Sequence, residues 1–187
     1  MTDAALPMLA GWESFYVIVG SSGAALIGLQ FVVIALIKDT RTRTTSGTIS
    51  AFGTPTVVHL GGALLISAVM SAPWPALVDV SLALTICGLI GLAYVTTVMI
   101  QARRQTGYAP VWEDWLWHVM LPGCVYVALT IAALALRAST SGALFVIGGG
   151  ALGLLLIAIH NAWDTVTYVV VSDERREPSE QTMNSTP

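Results

Sequence analysis

Long apolar runs bounded by charged or turn-rich stretches dominate the chain. Five are read, at Phe15–Ile37, Ala51–Ala72, Leu77–Gln101, Trp115–Leu136 and Ala143–Val171. Each reaches about the 20 residues that a helix needs to cross the hydrocarbon layer, and the last is long enough to tilt or to project beyond it. The connections are short, so consecutive helices are expected as antiparallel neighbours in one bundle. The pattern predicts an all-α, five-span transmembrane domain over residues 1–171. After it comes a tail, residues 172–187, "SDERREPSEQTMNSTP", whose charge and two prolines predict disorder.

Composition agrees with the pattern: hydrophobic residues make up 55% of the chain, charged residues 10%, and mean hydropathy is +0.76. The basic residues set an orientation. Lys38, Arg41 and Arg43 follow span one, Arg103 and Arg104 follow span three, and Arg175 and Arg176 follow span five, leaving Arg137 alone on the opposite side. The excess of basic residues in cytoplasmic loops predicts an N-terminus outside and a C-terminus inside. A formal charge of −3 with no basic patch predicts no nucleic-acid partner. Span one is read as a retained helix, since Asp3 and Glu13 precede it without Lys or Arg and no small-residue cleavage motif follows. Cys87 and Cys124, both in mid-span, are read as small buried hydrophobes.

Aromatic residues mark the edges: Trp12, Phe15 and Tyr16 at one end of span one, Trp74 in "SAPWPAL", and Trp112, Trp115 and Trp117 where span four begins. An indole at headgroup level keeps its ring in the apolar zone and its N–H wet. "VWEDWLWH" is expected to run partly along the inner surface before span four turns upward. Pro55 is expected near enough to its helix start to be tolerated, and Pro122, followed by Gly123, to kink span four. Gly20, Ala24 and Gly28 form a ridge with a four-residue step, and Gly88 with Gly91 and "GGGALG" at 148–153 offer other close approaches. In lipid such ridges let backbones touch, either within one bundle or between the subunits of a homo-oligomer.

Ionisable groups at membrane depth carry a cost of roughly 2.5–3.5 kcal/mol for an Asp at a helix centre on the milder scales, so they need a reason to be there. Asp79 escapes it at the outer start of span three, and Glu13 is read as capping the start of span one or as an outer vestibule charge. Counting about 1.5 Å per residue from the predicted inner ends, His59 lies about 12 Å deep, His160 about 16 Å, Asp164 and Gln30 about 10 Å, and His118 about 4 Å. All five occupy the inner half, and His160 and Asp164 at i and i+4 share a helix face.

Several chemistries are open to this set. Asp164 and His160 can form a structural polar clasp. With His59, Gln30 and His118 they can form a proton or cation path. His59, His160 and Asp164, with the shallower His118, can supply a metal shell, and His59 with His160 can supply two axial ligands to a haem. No nucleophile–base constellation is present, so a hydrolase is not expected.

"WESFYVIVGSSGAALIGLQFVVIAL", Trp12 to Leu36, with its aromatic start, Gly/Ala-rich middle and "GLxFV" element (Gly28, Leu29, Phe31, Val32), resembles a group of small bacterial integral membrane proteins. "NAW" at Asn161–Trp163 resembles a short element of their final helix. Members are often labelled modulators of the FtsH protease, a label that assigns no catalytic residues. The resemblance implies a bacterial cytoplasmic membrane and a regulator or scaffold that binds a larger membrane protein. Gln30 and the histidine/aspartate set are departures from that group. The residues themselves lean towards an oligomeric protein handling protons or cations at a polar intramembrane site.

Overall fold

The structure is a computed structural model and describes residues 6–39, 46–104 and 112–174. These residues form α1 (Leu6–Ala10), α2 (Glu13–Asp39), α3 (Ser46–Ser71), α4 (Leu77–Arg104), α5 (Trp112–Trp115), a π-helical turn (Leu116–Met120), α6 (Leu121–Ala135) and α7 (Thr140–Glu174). Five helical stretches are long and apolar enough to cross a membrane: α2, α3, α4, the π turn with α6, and α7. Among the described residues all regular structure is helical, and the five long apolar helices fit a membrane protein. Helix α7 runs to Glu174, slightly past the expected boundary, and residues 175–187 lie outside the described residues, as do Arg41 and Arg43.

Neighbours in space are not simply neighbours in sequence. Helix α3 packs mainly against α2 on one side and α7 on the other, α7 packs against α6, and α6 against α4. A lighter α3–α4 contact closes a four-helix ring, while α2 lies outside it against α3 and touches α7. The expected sequential pairing therefore holds for α2–α3, α4–α6 and α6–α7 and is light for α3–α4, because the main second partner of α3 is the last span.

Small residues set these contacts, since in lipid close backbone approach and dispersion replace the hydrophobic drive. Gly91 of α4 lies directly against the ring of Tyr126 in α6, and Gly88 against Thr130. The Ser81 hydroxyl of α4 donates to the Ala133 carbonyl of α6 over 2.7 Å. Gly150 and Gly153 of α7 face Val125 of α6. The predicted ridge on α2 divides: Gly20 is buried, with a Cβ there 3.0 Å from Ser67 Cβ, whereas Ala24 and Gly28 are exposed. Gly23, three residues after Gly20, completes the contact by approaching the Leu60 carbonyl.

Two proline expectations are refined. Because α3 begins at Ser46, Pro55 sits inside the helix rather than near its start. In span four the irregularity falls one turn before Pro122: Leu121 N–H bonds to the Leu116 carbonyl, an i−5 step. Pro122 has no N–H for the i−4 carbonyl, that of His118, and its ring would crowd it, so the widened turn relieves both.

At the end carrying Trp74, Trp12 contacts Phe145 edge-on with centroids 4.9 Å apart and packs against Gly148. The ring's core in this half is Ala63, Ile66, Val80, Leu84, Leu129, Ala133, Ile147 and Leu154.

Candidate functional site

The buried polar residues among those described are Gln30, Thr56, His59, Ser67 and Asn161. Ser67 returns its hydroxyl to the Ala63 carbonyl of its own helix. The other four belong to the half of the bundle that carries Asp164. Packing fixes their levels: Gly62 meets Leu154 across the α3–α7 contact, and Gly20 meets Ser67 across α2–α3. Counting along these antiparallel helices puts Asn161 and Gln30 level with Thr56, within about one residue's rise of 1.5 Å, and His59 about one turn further in.

His59 is fully buried where α3 faces the rest of the ring. Its Nδ1 lies 3.3 Å from the Tyr126 hydroxyl of α6, and its ring is perpendicular to that of Tyr94 of α4 at 6.0 Å. Gly62 makes room for the Tyr126 hydroxyl, since a Cβ there would lie 2.9 Å from it. His59 Nε2 and both polar atoms of the Asn161 amide have no protein hydrogen-bond partner. A buried polar group left unpaired costs about 1–3 kcal/mol, so each of these three atoms calls for a water or another small polar partner. In the other half, the Tyr16 hydroxyl is buried and unpartnered on α2.

His160 and Asp164 form a partly exposed rim pair on α7. Nε2 of His160 lies 3.1 Å from Oδ2 of Asp164, with the side chains 36% and 54% exposed. Trp117, in the π turn, stacks on His160 with centroids 3.6 Å apart and planes 20° from parallel. The stack presents an electron-rich face to a ring that becomes a cation when protonated. His118, on the same turn, is half-buried and electrostatically coupled to His59.

The structure thus brings His160 and Asp164 into contact, puts Trp117 on His160, and places Gln30 and His59 in the buried tier on separate helices. It does not bring the metal set together: among the described residues no three His, Cys, Asp or Glu side chains converge. The two rings considered as haem ligands have separate surroundings, His59 between Tyr94 and Tyr126 and His160 between Trp117 and Asp164.

Sequence reasoning missed Tyr94, Tyr126, Thr56, Asn161 and Trp117. The two tyrosines carried a readable signal, because both sit in mid-span rather than in the aromatic belts. Asn161 adjoins His160 on the same helix. Cys87 is half-buried and Cys124 exposed, so the expectation of two buried thiols holds only partly for the first. No family model, characterised protein or solved structure matches this chain.

Proposed function

We propose that the chain is a small membrane protein that handles protons or small cations at an intramembrane site entered from the cytoplasmic end. The distribution of basic residues orients the Asp164 end towards the cytoplasm. The observation that carries the reading is the segregation of polar groups: Gln30, Thr56, His59 and Asn161 are buried in the half that carries the His160–Asp164 pair, while the core of the other half is almost wholly apolar. Polar groups are costly at membrane depth and mark ion or proton routes when they face a bundle interior. The protein acts as a homo-oligomer in the cytoplasmic membrane of a bacterium. In liposomes it is expected to dissipate a proton or cation gradient, with Asp164→Asn and His160→Ala each lowering the flux. Flux no greater than in empty vesicles, across several cations and pH values, would rule the reading out.

A second reading is a regulator or scaffold for a larger membrane protein such as a protease. It is favoured by the position of Gly28, Leu29, Phe31 and Val32, all exposed on the helix outside the ring, and of Trp163, 70% exposed on α7. A photo-crosslinker at Phe31 in native membranes is then expected to give one discrete adduct with a membrane protease. Adducts with lipid only would remove this reading.

A further inference from the structure

Resting on the transport reading above, we propose that the species exchanged is the proton and not an alkali or alkaline-earth cation, with His59 as the residue that takes it up. The donor set decides between them. Hard cations need oxygens converging on one point, about six for Mg²⁺ and six to eight for Ca²⁺, and K⁺ filters supply rings of carbonyls. The buried tier offers at most one side-chain oxygen each from Gln30, Thr56, Asn161, Tyr94 and Tyr126, and the Tyr126 hydroxyl stands by Gly62, about 9 Å along the helix from the level of Thr56. No carboxylate is among the buried residues described. The best-placed buried atom is a nitrogen, His59 Nε2, which is a base rather than a ligand for such ions.

The geometry of His59 suits both protonation states. When Nδ1–H donates to the Tyr126 oxygen, Nε2 presents its lone pair; when Nε2 is protonated, the Nδ1–H bond to tyrosine is kept. In the uptake step an O–H bond of hydronium breaks and an Nε2–H bond forms, leaving water. The Asp164–His160 pair is partly exposed on α7, and Asn161, one residue from His160 on a helix packed against α3, presents an unpaired donor and acceptor that can orient what passes between that pair and His59. The titratable groups facing His59 are Tyr94 from α4, Tyr126 from α6 and His118 from the π turn; α7 brings His160 and Asp164 at the rim, and α2 brings the neutral Gln30. Beyond Tyr126, the core is mainly Ile66, Leu84, Leu129, Ile147 and Leu154, and the hydroxyls of Ser67, Thr85 and Thr130 donate to carbonyls of their own helices, so His59 exchanges with the Asp164 end in this conformation.

The test uses the full chain in liposomes loaded with a pH-sensitive dye or with Na⁺- or K⁺-sensitive dyes. Proton flux above that of empty vesicles is expected, with Na⁺ and K⁺ flux at the empty-vesicle level. His59→Gln should lower proton flux at least tenfold, and Tyr126→Phe, which keeps the ring, should lower it severalfold. Should His59→Gln fail to fold, infrared spectra of the native protein with ¹⁵N-labelled histidine supply the second readout. An imidazolium signal lost in Tyr126→Phe or shifted by it supports the assignment, and a buried imidazole that stays neutral at every pH tested overturns it. Na⁺ or K⁺ flux that survives His59→Gln overturns the proton assignment and leaves the transport reading standing. Absence of flux for every ion overturns both.

Discussion

Replacing Gly91 by alanine should separate α4 from α6 and, through Tyr126, disturb His59 on α3. A Cβ at Gly91 would fall within van der Waals contact of the Cδ1, Cε1 and Cγ atoms of Tyr126. The ring cannot simply swing aside, because Tyr126 is buried, its hydroxyl is held at His59, and Gly62 lies against that hydroxyl. Overpacking of this kind costs about 1–3 kcal/mol, and loss of the tyrosine–histidine hydrogen bond adds about 0.5–1.5 kcal/mol. Replacing glycine by alanine inside a helix returns up to about 1 kcal/mol. The net expectation is a loss of about 0.5–4.5 kcal/mol. Gly149→Ala is the matched control, since Gly149 is exposed on α7 and a Cβ there meets nothing within 4 Å. It gains the same helix propensity without a collision and should be neutral or slightly stabilising. Reversible unfolding in mixed micelles, titrated with a denaturing detergent, measures both variants. Equal stability of Gly91→Ala and Gly149→Ala would show that the α4–α6 contact is not as close as described.

The rim pair is half-exposed, and such pairs contribute about 0–1 kcal/mol. Asp164→Asn should therefore lower unfolding stability by less than about 1 kcal/mol; a larger loss measured in the same micelle titration would make the pair a structural clasp. Ala24→Ile combined with Gly28→Leu enlarges two exposed positions and leaves buried Gly20 untouched, so it should turn an oligomer into monomers by light scattering in detergent without unfolding the bundle. A native protein that is already monomeric refutes the intersubunit role. Reporter fusions after Arg43, Arg104 and the C-terminus should all report cytoplasm, and a periplasmic signal from any one contradicts the orientation.

The spans were legible because a run of about 20 apolar residues has few alternatives to a transmembrane helix. Which helix faces which was not, since a residue turned to lipid and one turned to the core are equally apolar; Leu29 and Leu60 look alike in sequence, yet one is exposed and the other buried. The His160–Asp164 pair was readable from its i, i+4 spacing alone, and the structure closes it to 3.1 Å. His59 was readable as deep, but its partners were not, because Tyr94 and Tyr126 come from helices whose register to α3 is set by Gly62 and Gly91. The ridge at Gly20, Ala24 and Gly28 was read with a four-residue step; the actual contact steps by three, from Gly20 to Gly23, and leaves the rest of the ridge outside.

The spatial order α2–α3–α7–α6–α4 also bears on biosynthesis. During synthesis α3 leaves the ribosome long before α7, yet α7 is the helix that covers much of its inner face. Until the fifth span arrives, the face of α3 that α7 covers has no wall on that side, and polar groups beside it meet lipid at a free-energy penalty. The final insertion step thus does more than lengthen the chain. It shuts the polar interior away from acyl chains, so a nascent protein halted after α6 is expected to be a good substrate for membrane quality control.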